Sequence, residues 1–397
     1  MSFTAADRGY MRRALRLAAL GLHTTAPNPR VGCVIARDGE IIGEGWHERA
    51  GGPHAEVAAL AALGTVDTRK VGDGETASPT KNTPHTAQRD AQRLDVRDAR
   101  GATAYVTLEP CAHFGRTPPC ADALIAAGVA RVVVAMTDPN PQVAGRGLAR
   151  LAAAGIAVEH GLCEAEAREL NPGFVARMTR GRPWLRLKIA ASLDGKTALT
   201  NGLSQWITGP AARRDAQVWR ARSCAILTGS GTVRVDNPRL TVREIDTPRQ
   251  PLKVIVDSRL ETSPQAALFA GTKSGGVLLA CAVDDAKKHA ALTAAGADIV
   301  VLPNAQGQVD LPALLAELGR RGINEVLVEA GARLNGALLR ADLVDELLLY
   351  QAPLLLGNAA RGIADTGELH DLAAARRLEI IERRPVGADF LLRARFL

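Results

Sequence analysis

Pro53-His54-Ala55-Glu56, Glu109-Pro110-Cys111 and Cys120 are the stretches whose reading decides the first half of this chain. One histidine and two cysteines are donor types that zinc prefers, and three protein ligands leave a fourth position for water. Zinc lowers the pKa of such a water from about 15.7 to about 7, so hydroxide is available at neutral pH. A carboxylate beside it must take the water proton and pass it to a departing group. Glu56, two residues after His54, is placed for that role. A purely structural zinc would take four protein ligands and has no use for this carboxylate. Pro53 and the run from Glu56 to Leu63 predict a helix stopping near Gly64, with His54 and Glu56 in its first turn. Cys120 opens a second predicted helix, 121–127, with Gly128 as its stop. A helix N-terminus favours the thiolate that metal binding requires.

Outward from these stretches the first half alternates strands and helices. A helix is expected over 5–20. A strand at 31–36 turns at Asp38-Gly39 into another at 41–45, a hairpin signal. Strands follow at 104–108, 131–135 and 156–159, with a helix at 147–154. This order predicts an α/β sandwich with mixed pairing at one edge. Residues 65–100 are polar and aperiodic, and read as a flexible insertion with a short helix at 89–97. A helix-rich linker, 164–180, ends at Gly181-Arg182-Pro183, and a second α/β unit begins. Strands are predicted at 184–191, 225–228, 252–257, 276–280, 298–302, 325–329, 344–350, 378–384 and 390–396. Helices are predicted at 210–222, 284–295, 311–321 and 333–339. The expected organisation is a domain over 1–160, a linker over 161–183 and a domain over 184–397.

Two glycine turns in the second half follow apolar strands: Thr228-Gly229-Ser230-Gly231-Thr232, and Gly331 to Asn335 after Glu329-Ala330. Bare amides at such turns can hold a pyrophosphate. Neither turn is G-x-G-x-x-G, which excludes the Rossmann fingerprint.

Composition narrows the function classes. The 397 residues allow two cores. A net charge of +7 with only 3% aromatic residues suits small anionic ligands better than nucleic acid, which needs stacking platforms. Of six cysteines, Cys111 and Cys120 go to the metal; Cys33, Cys163, Cys224 and Cys281 read as small buried hydrophobes, not a disulfide framework. Arg12, Arg13 and Arg16 lie in an amphipathic helix that does not read as a signal peptide. The apolar run 347–356 is too short to span a bilayer. A cytoplasmic protein without membrane or nucleic-acid partners is expected.

Eight residues separate Cys111 from Cys120, where the short deaminase pattern has two. The stretch from Pro110 to Cys120, together with Ala26-Pro27-Asn28-Pro29-Arg30-Val31-Gly32, Trp46-His47 and Asp138-Pro139-Asn140-Pro141, resembles the bifunctional riboflavin-biosynthesis deaminase/reductases. Ala191-Ser192-Leu193-Asp194-Gly195-Lys196 and Ser204-Gln205-Trp206-Ile207-Thr208 resemble the reductase part of the same family, so the likeness spans nearly the whole chain.

The resemblance implies a cytidine-deaminase-like α/β/α sandwich followed by a dihydrofolate-reductase-like α/β domain. It implies hydrolytic deamination of a phosphoribosylamino-pyrimidine at one zinc per chain, held by His54, Cys111 and Cys120 with Glu56 as proton carrier. NADPH reduction of the ribosyl to a ribityl chain follows. Asn28, His47 and Arg116 correspond to substrate contacts in the deaminase, and Ala112 stands where the family often has serine. In the reductase, Ala190, Trp206, Thr232, Asp236, Ser258 and the loop Gly331, Ala332, Arg333, Leu334, Asn335, Gly336, Ala337 correspond to cofactor contacts. Ser204, Arg220, Leu240, Arg243 and Glu329 correspond to substrate contacts, and Lys188 and Glu329 are candidates for the acid that opens the ribose. Arg213 and Arg214 are expected to be surface charge, and Asp194 to cap the Gly195 turn. A homo-oligomer is expected. The competing reading is an RNA-base-editing deaminase joined to an RNA-binding or regulatory half.

Overall fold

The structure, a computed structural model, describes residues 3–63, 99–113, 118–270 and 275–397. Arg116, the helix expected at 89–97 and all but the end of the 65–100 insertion lie outside the described residues. The chain divides into two compact units, Met1–Asn171 and Pro172–Leu397.

The first unit runs α1 (Ala5–Leu20), β1 (Gly32–Arg37), β2 (Glu40–Trp46), α2 (Ala55–Ala61), β3 (Thr103–Val106), α3 (Cys120–Ala126), β4 (Arg131–Val134), α4 (Arg146–Ala153), β5 (Ala157–His160) and α5 (Glu164–Leu170). Thr4 and Asp7 form a capping box that fixes where α1 starts. Asp38 and Gly39, both at positive φ, make the two-residue turn between β1 and β2. The sheet order is β2-β1-β3-β4-β5. β1 is antiparallel to both neighbours, and β3, β4 and β5 are parallel. Cys33, Ile35, Ala104, Val106, Val132 and Val134 meet Ala55, Ala59 and Leu60 of α2 and Leu124 of α3 in one core. α2 sits unusually close to β2. A Cβ on Gly45 would lie 2.5 Å from the Ala59 nitrogen, and one on Gly43 would lie 2.5 Å from the Ala59 oxygen.

The second unit runs α6 (Pro172–Arg180), β6 (Trp184–Ser192), β7 (Lys196–Ala198), α7 (Pro210–Arg222), β8 (Ala225–Gly229), α8 (Ser230–Asp236), β9 (Leu252–Val256), β10 (Val277–Cys281), α9 (Ala286–Ala294), β11 (Ala297–Val301), α10 (Leu311–Arg320), β12 (Glu325–Val328), α11 (Ala332–Arg340), β13 (Glu346–Ala352), β14 (Arg361–Gly362), β15 (Leu378–Val386) and β16 (Asp389–Phe396). Its main sheet has the order β11-β10-β9-β8-β12-β6-β13-β16-β15. Strands β11 through β13 in that order are parallel; β16 and β15 add antiparallel strands at one edge. The parallel strands are near-continuous Val/Leu/Ile runs because helices cover both faces.

Helix α8 was not expected from the sequence. Ser230-Gly231-Thr232-Val233-Arg234-Val235-Asp236 is poor in helix formers, so packing of Val233 into the core must carry it. Cys33, Cys224 and Cys281 are buried as expected, whereas Cys163 is only half-buried, at a left-handed turn before α5.

Candidate active sites in the two units

His54 is the residue just before α2, and Cys120 is the first residue of α3. Cys111 follows the end of β3, and its carbonyl accepts the Ala121 N–H at 3.2 Å, which ties it to α3. The three candidate ligand atoms lie within 4.8 Å of one another. His54 Nδ1 is 3.2 Å from Cys120 Sγ and 3.7 Å from Cys111 Sγ. A tetrahedral zinc with ordinary Zn–S and Zn–N bonds spaces its ligands by about 3.5–3.8 Å, so the set fits the ion. The sulfur chemistry agrees. Cys120 donates to Cys111, which holds the Cys111 thiol down to about 4, while the same bond and burial push Cys120 up. One thiolate is satisfied by protein alone, and a dication would take both. The Cys120 N–H also donates to Cys111 Sγ at 3.3 Å.

Glu56 is buried in the first turn of α2, and burial pushes its carboxyl up to about 7. A group poised there can both take and give a proton near neutral pH. Beside it, His47 Nδ1 lies 2.8 Å from the Pro53 carbonyl and Nε2 lies 3.0 Å from Asn28 Nδ2. A carbonyl only accepts, so Nδ1 carries the hydrogen and Nε2 is the acceptor. Burial lowers the His47 pKa, consistent with a neutral ring. Asn28 thus spends its amide donor on His47 and keeps its oxygen for a ligand.

Glu109 was quoted in the sequence only as part of a motif. It is buried, and its carboxylate accepts backbone N–H groups from Asp138, Gly145, Gly147 and Leu148. A charged residue closing an apolar strand is the signal that could have singled it out.

In the second unit Leu187 of β6 pairs with Val328 of β12, so Lys188, expected at a strand end but lying in the middle of β6, stands beside Glu329, the first residue after β12. Arg220 of α7 grips both oxygens of Glu329, at 2.7 Å each, and donates to the Thr241 carbonyl at 2.9 Å. Burial works to raise the Glu329 carboxyl, but Arg220 outweighs it, with Lys188 and Arg243 assisting, and holds it down to about 2. Burial lowers the Lys188 pKa against the opposing pull of Glu329. The structure therefore brings Lys188, Arg220, Glu329 and Arg243 into one electrostatic group. Leu240 is buried three residues before the exposed Arg243, whose backbone N–H donates to Gln217.

The residues expected at the cofactor are arranged around the same parallel strands. Ala190 lies on β6, Thr232 in the first turn of α8 and Asp236 at its end. Gly331 precedes α11, where no side chain caps the first amides. Asn335 and Gly336 are buried against the segment 363–365: Asn335 Nδ2 donates to the Ile363 carbonyl, and Gly336 leaves no room for a Cβ beside Asp365. Asn335 Oδ1 is buried without a partner. Open amides at α11 and a spare buried acceptor suit a nucleotide cofactor. Ser258 Oγ accepts the Val309 N–H at 3.1 Å. Ser204 is half-buried and Trp206 is exposed.

Two residues make contacts that the sequence did not show. Arg213, expected as surface charge, lies 4.6 Å over the exposed Trp206 ring and donates to the Thr208 carbonyl. Asp194 does more than serve its own turn. It accepts the N–H groups of Leu356 and Gly357 and the hydroxyl of Ser192, while the Ser192 hydroxyl oxygen accepts the Lys196 N–H. The segment after β13 is pinned there at Leu356 and Gly357 because a carboxylate can take several amides at once.

Residues 4–136 match the family of the cytidine and deoxycytidylate deaminase zinc-binding region, and residues 183–392 match the RibD C-terminal domain. The match over the second half leaves no support for an RNA-binding or regulatory partner domain. The chain is 48% identical to riboflavin biosynthesis protein RibD of Escherichia coli, over 97% of this chain and 98% of that protein. It is 43% identical to the RibD of Haemophilus influenzae, over 99% and 98%. Among solved structures, Acinetobacter baumannii RibD matches with a TM-score of 0.84 at 41% identity, covering 99% of both chains. A deaminase/reductase from Thermotoga maritima matches with a TM-score of 0.80 at 31% identity, again over 99% of both. With a donor triangle of deaminase type in one unit and a RibD reductase fold in the other, the chain belongs to the RibD family of bifunctional riboflavin-biosynthesis deaminase/reductases.

Proposed function

We propose that the first unit deaminates 2,5-diamino-6-hydroxy-4-(5-phosphoribosylamino)pyrimidine and that the second reduces the ribosyl side chain of the product. The observation that carries the first step is the His54, Cys111, Cys120 triangle with Glu56 buried beside it. Zinc bound there supplies an activated water. Glu56 takes a proton from that water and returns it to the exocyclic nitrogen, so ammonia leaves as the ring carbon gains oxygen. The free oxygen of Asn28, held by His47, orients the pyrimidine, and Arg116 meets the phosphate.

In the second unit a bound nicotinamide cofactor would supply the hydride that reduces the ribose C1 carbon. Lys188 gives a proton to the ring oxygen as the ribosylamine opens to an imine. Glu329, kept ionised by Arg220, has no proton to give; it steadies the Lys188 ammonium and faces the substrate. Ser204, Leu240 and Arg243 line the substrate side. Ala190, Trp206, Thr232, Asp236, Ser258 and the 331–337 loop hold the cofactor, which is NADPH because Arg259 follows Ser258 where an adenosine 2′-phosphate would lie.

The deaminase domain is taken as 1–160 and the reductase as 184–397, a division supported by the split between Asn171 and Pro172 within the joining segment. β15 ends its sheet and exposes Ile380 at 60%, which supports a homo-oligomer. The enzyme acts in the cytoplasm on small phosphorylated pyrimidines, with no nucleic-acid or membrane partner. No helix among the described residues is long and apolar enough to cross a membrane. Zinc content near one per chain, together with NADPH oxidation driven by the pyrimidine phosphate, tests the whole reading. A zinc-free chain that deaminates at full rate would overturn it.

A further inference from the structure

We infer that Glu109 is a positioning residue that sets the register between the Cys111 loop and the 138–147 loop, and through it the affinity for substrate. Glu109 stands two residues before Cys111. Its Oε1 accepts the N–H groups of Gly147 at 2.8 Å and Leu148 at 3.4 Å; its Oε2 accepts those of Asp138 at 3.1 Å and Gly145 at 3.0 Å. Both oxygens are therefore used twice, and only an ionised carboxylate offers that many lone pairs in so small a space. The contact is tight on the backbone side as well. A Cβ on Gly147 would lie 2.0 Å from the Pro110 carbonyl oxygen, so the two loops touch main chain to main chain. The Asp138 end of the 138–147 loop is tied in by the same carboxylate, since the half-buried Asp138 donates its N–H to Glu109, two residues before Cys111. Asp138 Oδ1 in turn accepts the Asn140 N–H at 2.8 Å, which shapes the turn presented there. One buried carboxylate thus joins the segment bearing Cys111 to the segment bearing the Asp138 and Asn140 side chains.

This rests on the deaminase reading of the first unit, and the two fail differently: Glu56→Gln with deamination intact sinks that reading, whereas the variants below address Glu109 alone. Glu109→Gln keeps the shape but can serve only one pair of amides, since its other terminus is a donor. Gly147→Ala keeps the carboxylate and wedges the loops apart at Pro110. The full-length zinc-loaded enzyme is assayed for deamination, zinc content and reduction of pre-deaminated substrate. We expect KM for the pyrimidine phosphate to rise roughly 10–100-fold in both variants, with a smaller change in kcat, full zinc content and unchanged reduction. Replacing zinc by cobalt should show an altered thiolate-to-metal band, because Cys111 shifts with its loop. Kinetics within about two-fold of the parent in either soluble variant overturns the assignment. So does loss of zinc, deamination and reduction together in both, which would mark a role in folding only.

Discussion

Arg220 holds both carboxylate oxygens of Glu329 from α7, across from the strand end that carries Glu329. The pair keeps the Glu329 carboxyl ionised. Arg220→Lys keeps the charge but not the planar fork. A charge-assisted hydrogen bond contributes about 1.5–3 kcal/mol, so reduction should fall roughly ten- to hundred-fold, with deamination untouched. Equal reduction rates in Arg220→Lys and the parent would show that the fork is unnecessary.

Lys188 gives a pH signature. Burial lowers its pKa, so its protonated fraction declines on raising the pH earlier than for an ordinary lysine. If it donates the proton, kcat of the reductase falls as pH rises through that depressed value. Lys188→Arg, which stays protonated, should lose most activity and show no such limb. A limb that persists in Lys188→Arg belongs to another group.

Glu56→Gln should retain zinc, since the carboxyl is not one of the three ligands. Deamination should drop by roughly 10²–10⁴ with the loss of the proton carrier. Reduction of pre-deaminated substrate should be unchanged. Metal analysis beside both assays separates the roles, and joint loss of zinc and activity would mean Glu56 holds the metal.

Asn28→Asp tests the hydrogen-bond order around His47. An aspartate turns the donor facing His47 Nε2 into an acceptor, and two acceptors repel. The ring must then protonate to restore the contact. KM for the pyrimidine should rise at pH 8 and recover as the pH falls toward about 6, since a nearby carboxylate raises a histidine pKa. A KM independent of pH in the variant would place the histidine proton on the other nitrogen.

Arg259 is exposed in the turn after β9, and its carbonyl accepts the Lys288 ammonium at 2.8 Å, so a second cation stands nearby. Arg259→Ala should weaken NADPH about ten-fold or more and leave NADH alone. Titration of both cofactors decides; a matched change removes the residue from the 2′-phosphate.

What the sequence made legible was local. Asp38-Gly39 dictates a hairpin by turn chemistry alone, and Thr4 with Asp7 marks the start of α1 within a few residues. The candidate metal triplet was readable in part because His54 and Cys120 sit at helix N-termini, where the chain signals its own breaks; Cys111, in the loop after β3, was readable from the Glu-Pro-Cys motif. Long-range pairings were not readable. Arg220 could be placed near a substrate only by resemblance, because nothing near it in sequence shows Glu329 waiting 109 positions away. Glu109 looked like a motif letter because its partners begin at Asp138. α8 went unseen because its residues do not favour a helix, and only the core beneath Val233 makes one.

Gly43 and Gly45 set a limit on how this enzyme can be redesigned. With α2 resting directly on the backbone of β2, the height of His54 above the sheet is a property of bare main chain and not of any side chain that could be tuned. A methyl group at either position would act as a shim, lifting the helix and carrying His54 and Glu56 with it. Variation aimed at new pyrimidines therefore has room in the turns around Asn28 and Asp138 and none along this strand.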